Sequence, residues 1–403
     1  MKSFYILLIS LISFHVSAQG NWEKKSSIPG VARHHPVTFA LNGKGYVATG
    51  LASPSFLLQD FFEYDPTTDT WTQKTSFPGT ARSFAYGVTH NGKAYLGFGL
   101  GTGNQRLNDF WEYDPATDQW TQLSDCGCTG RRHPAMVATD NGKIFVGMGD
   151  DLNGDQNDWW EYDIATNTWT QKGSLPGPRR HHPYYFGIGS DTYVGFGHSG
   201  LNIYNDFYRY NSVSETWTQM RDFPGEARVA GAQFNYDAYG YIISGEGADH
   251  QNLDSGEFFR YDPRLDSWFE QEVHPGPGRW ATGTFVIDDM VYLVAGEDDR
   301  SIMLNDMWAY DLKRTTVIAG SDENLSSDEE IKAYPNPVSN TLYLNIQSTY
   351  TYSVNGFDGK TIMTGEADQL NKRIDMTELN AGIYLLQLSS EEGVSKTIKV
   401  FKK

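Results

Sequence analysis

A chain of 403 residues has room for one large domain and a small one, and its 32 Lys and Arg against 50 Asp and Glu leave a formal charge of -18. So acidic a surface excludes nucleic acid and anionic membrane as principal partners, because both are held by Lys and Arg that displace counterions. With 24 Tyr, 22 Phe and 11 Trp beside 41 Gly and 16 Pro, the composition points to pleated sheet punctuated by turns, an all-β class.

The start of the chain places Lys2 ahead of an apolar run from Phe4 to Phe14, then Val16-Ser17-Ala18. This reads as a signal peptide over residues 1–18, cleaved after Ala18, with a buried first strand as the alternative. The run is too short to span a bilayer, and no later stretch approaches the ~20 apolar residues of a membrane helix, so no transmembrane anchor is expected. Only two cysteines follow, Cys126 and Cys128, one residue apart. The fold therefore does not depend on a disulfide framework, and free thiols or a labile bridge both remain open.

From residue 19 the chain repeats itself. The stretch Asn108–Gln122, NDFWEYDPATDQWTQ, has relatives along most of the sequence. Tyr64, Tyr113, Tyr162, Tyr210, Tyr261 and Tyr310 share one position, at spacings of 49, 49, 48, 51 and 49, and five of them are followed seven residues later by Trp71, Trp120, Trp169, Trp217 and Trp268. A period near fifty with several short β-like runs per unit predicts a propeller of four-stranded antiparallel blades. In the second unit the strands are expected from Ala81-Arg82 to His90, Ala94 to Gly99, Asn108 to Tyr113 and Gln119 to Gln122. Asn42-Gly43, Asn91-Gly92 and Asn141-Gly142 supply tight hairpins, and Asp65-Pro66 and Asp114-Pro115 turn the third strand into the fourth.

These units resemble kelch repeats: an Arg before the first strand, Gly at the end of the second, an Asn-Asp-aromatic third strand, and Tyr-Asp ahead of Trp. The resemblance covers roughly Asn21 to Leu312 and implies a six-bladed β-propeller, although single glycines or Gly-x-Gly stand where the family usually has a glycine pair. The sixth unit lacks its Trp, since Val317 lies seven residues beyond Tyr310. Trp22, eleven residues before Arg33 as Trp71 is before Arg82, supplies the missing signal. Asn21–Lys25 is therefore expected to close the last blade, with Thr315–Ile318 as the alternative strand.

The propeller is thus placed at 19–312 and an aperiodic linker, acidic at its end, at 313–330. In 331–403, Tyr334-Pro335-Asn336-Pro337, Asp358-Gly359-Lys360, Ala381-Gly382-Ile383-Tyr384 and the basic terminus resemble the C-terminal sorting domain of the type IX secretion system, a small β-sandwich. That resemblance implies export by the type IX machinery of a Gram-negative bacterium, to the medium or the outer cell surface.

In such blades the start of the first strand and the end of the second meet at one face, around the channel mouth. One set of residues there is Arg33, Arg82, Arg132, Arg180, Arg228 and Arg279, followed by His34, Ser83, His133, His181, Val229 and Trp280. The other is Leu51, Leu100, Asp150, His198, Glu246 and Glu297. A guanidinium ring can bind carboxylate or phosphate bidentately, with Trp280 offering an aromatic face to a sugar; equally, an Arg in every blade can serve blade stacking. The residues that differ between blades, His34, His133, His181, His198, Asp150, Glu246, Glu297 and Trp280, are the sharper ligand-binding candidates. Glu246 and Glu297 are also the candidates for general acid/base work, which the resemblance to secreted sialic acid mutarotases of this fold allows.

Asp151 to Asp158 is rich in oxygen ligands but lacks the spacing of a calcium loop and reads as a solvated loop. No cofactor motif and no metal set is recognised. The sequence thus predicts a ligand-binding module for a glycan or a protein at the cell surface, with a mutarotase-like carbohydrate-active enzyme as the alternative.

Overall fold

In the computed structural model of the chain, residues 21–253, 257–313 and most of 331–402 are described. The signal peptide, the linker beyond residue 313 and the alternative closing segment 315–318 lie outside them. Among the described residues, six sheets of four antiparallel strands make up the large domain. The first is Val37–Leu41, Lys44–Ala48, Phe61–Asp65 and Thr70–Gln73. The innermost strands neighbour one another in a closed ring, the sixth sheet lying beside the first. In the second sheet the first strand is Tyr86–His90, shorter than the run expected from Arg82. Arg82 to Phe84 instead turns across the propeller axis, with Phe84 in a left-handed conformation.

Why these repeats stack is visible at the Tyr and Trp positions. Tyr64, Tyr113 and Tyr261 each donate a hydrogen bond to the Asp five residues on, at 2.7–2.8 Å. That Asp also accepts a backbone N–H from the preceding blade, as Asp69 does from Ser26 and Asp118 from Thr75. The Trp rings complete the latch: the Nε1 groups of Trp71, Trp120, Trp169 and Trp217 donate to carbonyls of the blade before, at 2.7–3.2 Å. Recurrence of the motif therefore reports framework, because most copies make the same bonds at the same junction, Tyr210 Oη and Trp268 Nε1 alone among these Tyr and Trp groups being buried without a partner among the described residues.

The last blade is completed by the beginning of the chain. Trp22–Lys25 pairs with Met307–Asp311, register Trp22 to Tyr310. Trp22 Nε1 donates to the Glu272 carbonyl at 3.0 Å, and its ring lies 5.0 Å from Tyr310 and 6.0 Å from Phe258. It thus makes the latch of the other blades. Closure pairs an edge that would otherwise present free backbone groups.

A second set of bonds joins blades near the axis. The strand-end glycine of each blade donates its N–H to the carbonyl of the next blade's arginine: Gly50 to Arg82, Gly99 to Arg131, Gly149 to Arg180, Gly197 to Arg228, Gly245 to Arg279 and Gly296 to Arg33, at 2.8–3.1 Å. Gly99 has φ +96, and a Cβ there would sit 2.5 Å from the Ser83 carbonyl. Gly99→Ala is expected to cost of order 1–3 kcal/mol, measured by urea unfolding.

The C-terminal domain has two sheets, Ala333–Tyr334, Thr341–Leu344 and Arg373–Asp375 in one, and Tyr350–Gly356, Thr361–Ala367, Gly382–Ser390 and Ser395–Lys402 in the other. Leu342, Leu344 and Ile374 from the first share a core with Val354, Leu386 and Val400 from the second, the arrangement of a small sandwich.

Candidate functional site

The arginine ring is blade framework. Arg33, Arg82, Arg180, Arg228 and Arg279 are 0% exposed, and each forms an ion pair within its own blade, with Asp60, Asp109, Asp206, Glu257 and Asp306 respectively. Arg82 is representative: Nη1 donates to the Phe98 carbonyl at 3.0 Å and to Asp109 at 2.6 Å, and Nη2 to Asp109 at 2.6 Å. Wholly buried, these five present no edge at the mouth where ligand contacts were expected, and Arg33 Nε, Arg228 Nη1 and Arg279 Nε lack a hydrogen-bond partner among the described residues. The sixth member is Arg131, also 0% exposed and paired with Asp158. Arg132 is the residue after it, one-third exposed at the mouth. The spacing carried this signal: 82, 131 and 180 are separated by 49 each.

With that register the mouth becomes orderly. In every blade the residue after the framework arginine pairs, strand-like, with the residue after the strand-end glycine: His34 with Leu51, Ser83 with Leu100, Arg132 with Asp150, His181 with His198, Val229 with Glu246 and Trp280 with Glu297. These twelve positions ring the axis, and their backbone is uniform while their side chains are not. Blades one and two offer Leu51 and Leu100, blade three an arginine–aspartate pair, blade four two imidazoles, blades five and six a carboxylate each with Trp280 beside the second.

Arg132 contacts Asp150 at 2.7 Å, and Arg106 approaches the same carboxylate at 3.4 Å. His181 Nδ1 lies 2.6 Å from Asp155, whose carboxyl, against the effect of burial, is held below its usual range by hydrogen bonds from His181 and Ser199. Burial brings His34 and His198 down to about 4, so both are neutral near pH 7. The 3.7 Å contact of His34 with Glu297 is therefore dipolar rather than ionic at that pH. Burial, then the charges of Glu297 and Asp249, push the Glu246 carboxyl up to about 7, with His250 3.7 Å away. Glu297 is raised too, chiefly by burial. Trp280 is half-buried, its ring 5.4 Å from that of His34.

His133 belongs elsewhere. With His35 and His182 it occupies the axial position two residues after the arginine, below the mouth. Arg106, Arg131, His35, His182, Asp155 and His250 are site or framework residues not singled out from sequence. The carboxylates of 151–158 turn to separate partners, Asp151 to Thr129, Asp155 to His181 and Asp158 to Arg131. Cys126 and Cys128 are bonded to each other and buried at the junction of the second and third blades.

Comparison with known proteins agrees with this architecture. The family model of the Attractin/LZTR1 β-propeller matches residues 45–308, and that of the secretion system C-terminal sorting domain matches residues 332–403. Among solved structures, YjhT resembles the chain at 15% identity with a TM-score of 0.59, over 70% of this chain and 96% of that one. At that identity the likeness is one of fold. No curated protein matches. The sorting domain marks the chain for export to the cell surface or into the medium. Among the described residues no helix is long and apolar enough to cross a membrane.

Proposed function

The chain belongs to the Attractin/LZTR1 β-propeller family, and from that premise we propose that it is an exported binding module whose mouth recognises a glycan, reached after loss of the leader at 1–18. One observation carries the reading: half-buried Trp280 stands beside Glu297 on a mouth that also presents Arg132, Asp150, His181 and His198. An aromatic face flanked by hydrogen-bonding groups of both polarities is what a pyranose ring with its hydroxyls requires. Leu51 and Leu100 supply an apolar wall between the charged sixth and third blades. A glycan array probed with the full chain is expected to show binding that Trp280→Ala removes; an array on which the wild-type chain binds no sugar overturns the assignment.

The site also supports a second reading, a mutarotase-like enzyme acting on an acidic sugar, because Glu246 titrates near neutrality and can hold or release a proton there. Anomeric exchange followed by NMR tests it: exchange that survives both Glu246→Gln and Glu297→Gln excludes the carboxylates as its catalysts.

Either reading predicts a pH dependence. Glu246, raised to about 7, is anionic above that pH and neutral below it, with Glu297, Asp249 and His250 as its charged or titratable neighbours. Affinity for an anionic sugar is therefore expected to rise as pH falls from 8 to 6. In Glu246→Gln the profile flattens across that interval, as calorimetric titration at each pH shows.

A further inference from the structure

The residue two places after each framework arginine lies at the propeller axis with positive φ: His35 (48), Phe84 (61), His133 (53), His182 (53), Ala230 (56) and Ala281 (53). Neighbouring members are tied by main-chain bonds, His35 N–H to the Ala281 carbonyl, His133 to Phe84 and His182 to His133. Two blades meet this backbone requirement with alanine, so the geometry does not call for imidazole. Yet three blades carry histidine here, each less than one-tenth exposed.

The three rings converge. One nitrogen from each lies within 4.8 Å of the others, His35 Nε2 is 3.1 Å from His182 Nε2, and the rings of His133 and His182 are 3.3 Å apart at their centroids. Among the described residues neither nitrogen of His133 has a hydrogen-bond partner, although both are buried. Unpaired buried nitrogens are costly and rare in folded proteins, and here they sit where two further imidazoles point at the same spot.

We infer that His35, His133 and His182 form an axial binding site for a late first-row divalent metal ion, Cu²⁺ most tightly and Zn²⁺ less so. The donor set fixes the class: three imidazoles suit copper, nickel and zinc, whereas calcium and magnesium need oxygen ligands, and the Irving–Williams order puts copper first. Nitrogens about 2.0–2.1 Å from a tetrahedral ion stand about 3.3 Å apart, so modest inward rotation of the rings completes the site. The nearest positive side chain, Arg132, is matched by Asp150. A channel of about 480 Å³ leads to this level from the opposite face, lined by Pro36 and Thr282 beside the axial residues and by His90, Asp140 and Asp237 at its outer end. The site adjoins the mouth, with His35 Nδ1 2.7 Å from His34 Nδ1 and His182 Nδ1 3.4 Å from His198 Nε2.

The test uses the full chain, stripped with a chelator and titrated with Cu²⁺ and with Zn²⁺ by calorimetry, with an electron paramagnetic resonance spectrum of the copper form. Expected are one ion per chain, tighter for Cu²⁺, and nitrogen hyperfine structure. His133→Ala and His182→Ala should lose more than the roughly 10–100-fold that removal of an outer-shell partner costs. Both variants should stay folded by circular dichroism, since alanine occupies the same position in two blades, and His90→Ala at the channel's outer end should keep full affinity. Absence of stoichiometric binding by the wild-type chain overturns the proposal, as does a copper spectrum without nitrogen or affinity unchanged in both axial variants. The wild-type titration and spectrum decide the matter even where a variant fails to fold.

Discussion

Removal of Asn21–Lys25 is expected to destabilise the propeller by more than about 5 kcal/mol, the largest effect of any small change at its rim. Two losses combine. Trp22, 7% exposed, takes with it its packing on Tyr310 and Phe258, and loss of a buried Trp costs about 3–5 kcal/mol. The strand Met307–Asp311 also loses a partner along four residue pairs and becomes an open edge. For a domain of this size each kcal/mol corresponds to about 2 °C, so a fall of about 10 °C or more is expected in thermal unfolding. Trp22→Ala alone should account for most of it. An unchanged melting temperature in the deletion would show that the ring closes without this strand.

The adjacent arginines of the third blade should behave in opposite ways. Arg131→Met leaves Asp158, itself one-fifth exposed, without its bidentate partner and the Met148 carbonyl without a donor. Breaking such a pair costs about 3 kcal/mol when one charge stays behind, read as a lower urea midpoint at constant slope. Arg132→Met removes a partly exposed pair with Asp150, which is worth at most about 1 kcal/mol. Its stability should hardly move while glycan binding is lost. Equal destabilisation by the two substitutions would refute the division between framework and mouth.

Much of this was legible before any coordinates. Repeats announce themselves because most copies of the Tyr and Trp make the same bonds at their junctions, and Trp22 could be assigned to the last blade from its distance to Arg33 alone. The pairing of the residue after the arginine with the residue after the glycine followed from antiparallel strands meeting at one face. What failed was register at Arg131-Arg132, where two arginines stand side by side and only the 49-residue spacing chooses between them. That slip of one residue carried His133 to the mouth and hid its kinship with His35 and His182. Arg106, Asp155 and His250 come from loops between second and third strands, whose lengths and sequences do not repeat, so no internal comparison could place them.

The main-chain bonds from strand-end glycine to the next blade's arginine carbonyl have a consequence for how such a protein changes over time. They hold the mouth through atoms every residue possesses, so the side chains standing on that hoop are released from holding the fold. Leu51, Asp150, His198 and Glu246 are four answers to one structural address. A binding preference can then be rewritten one blade at a time, each substitution tried on an unchanged ring, and descendants of a single propeller can diverge in what they recognise while remaining nearly identical in how they stand.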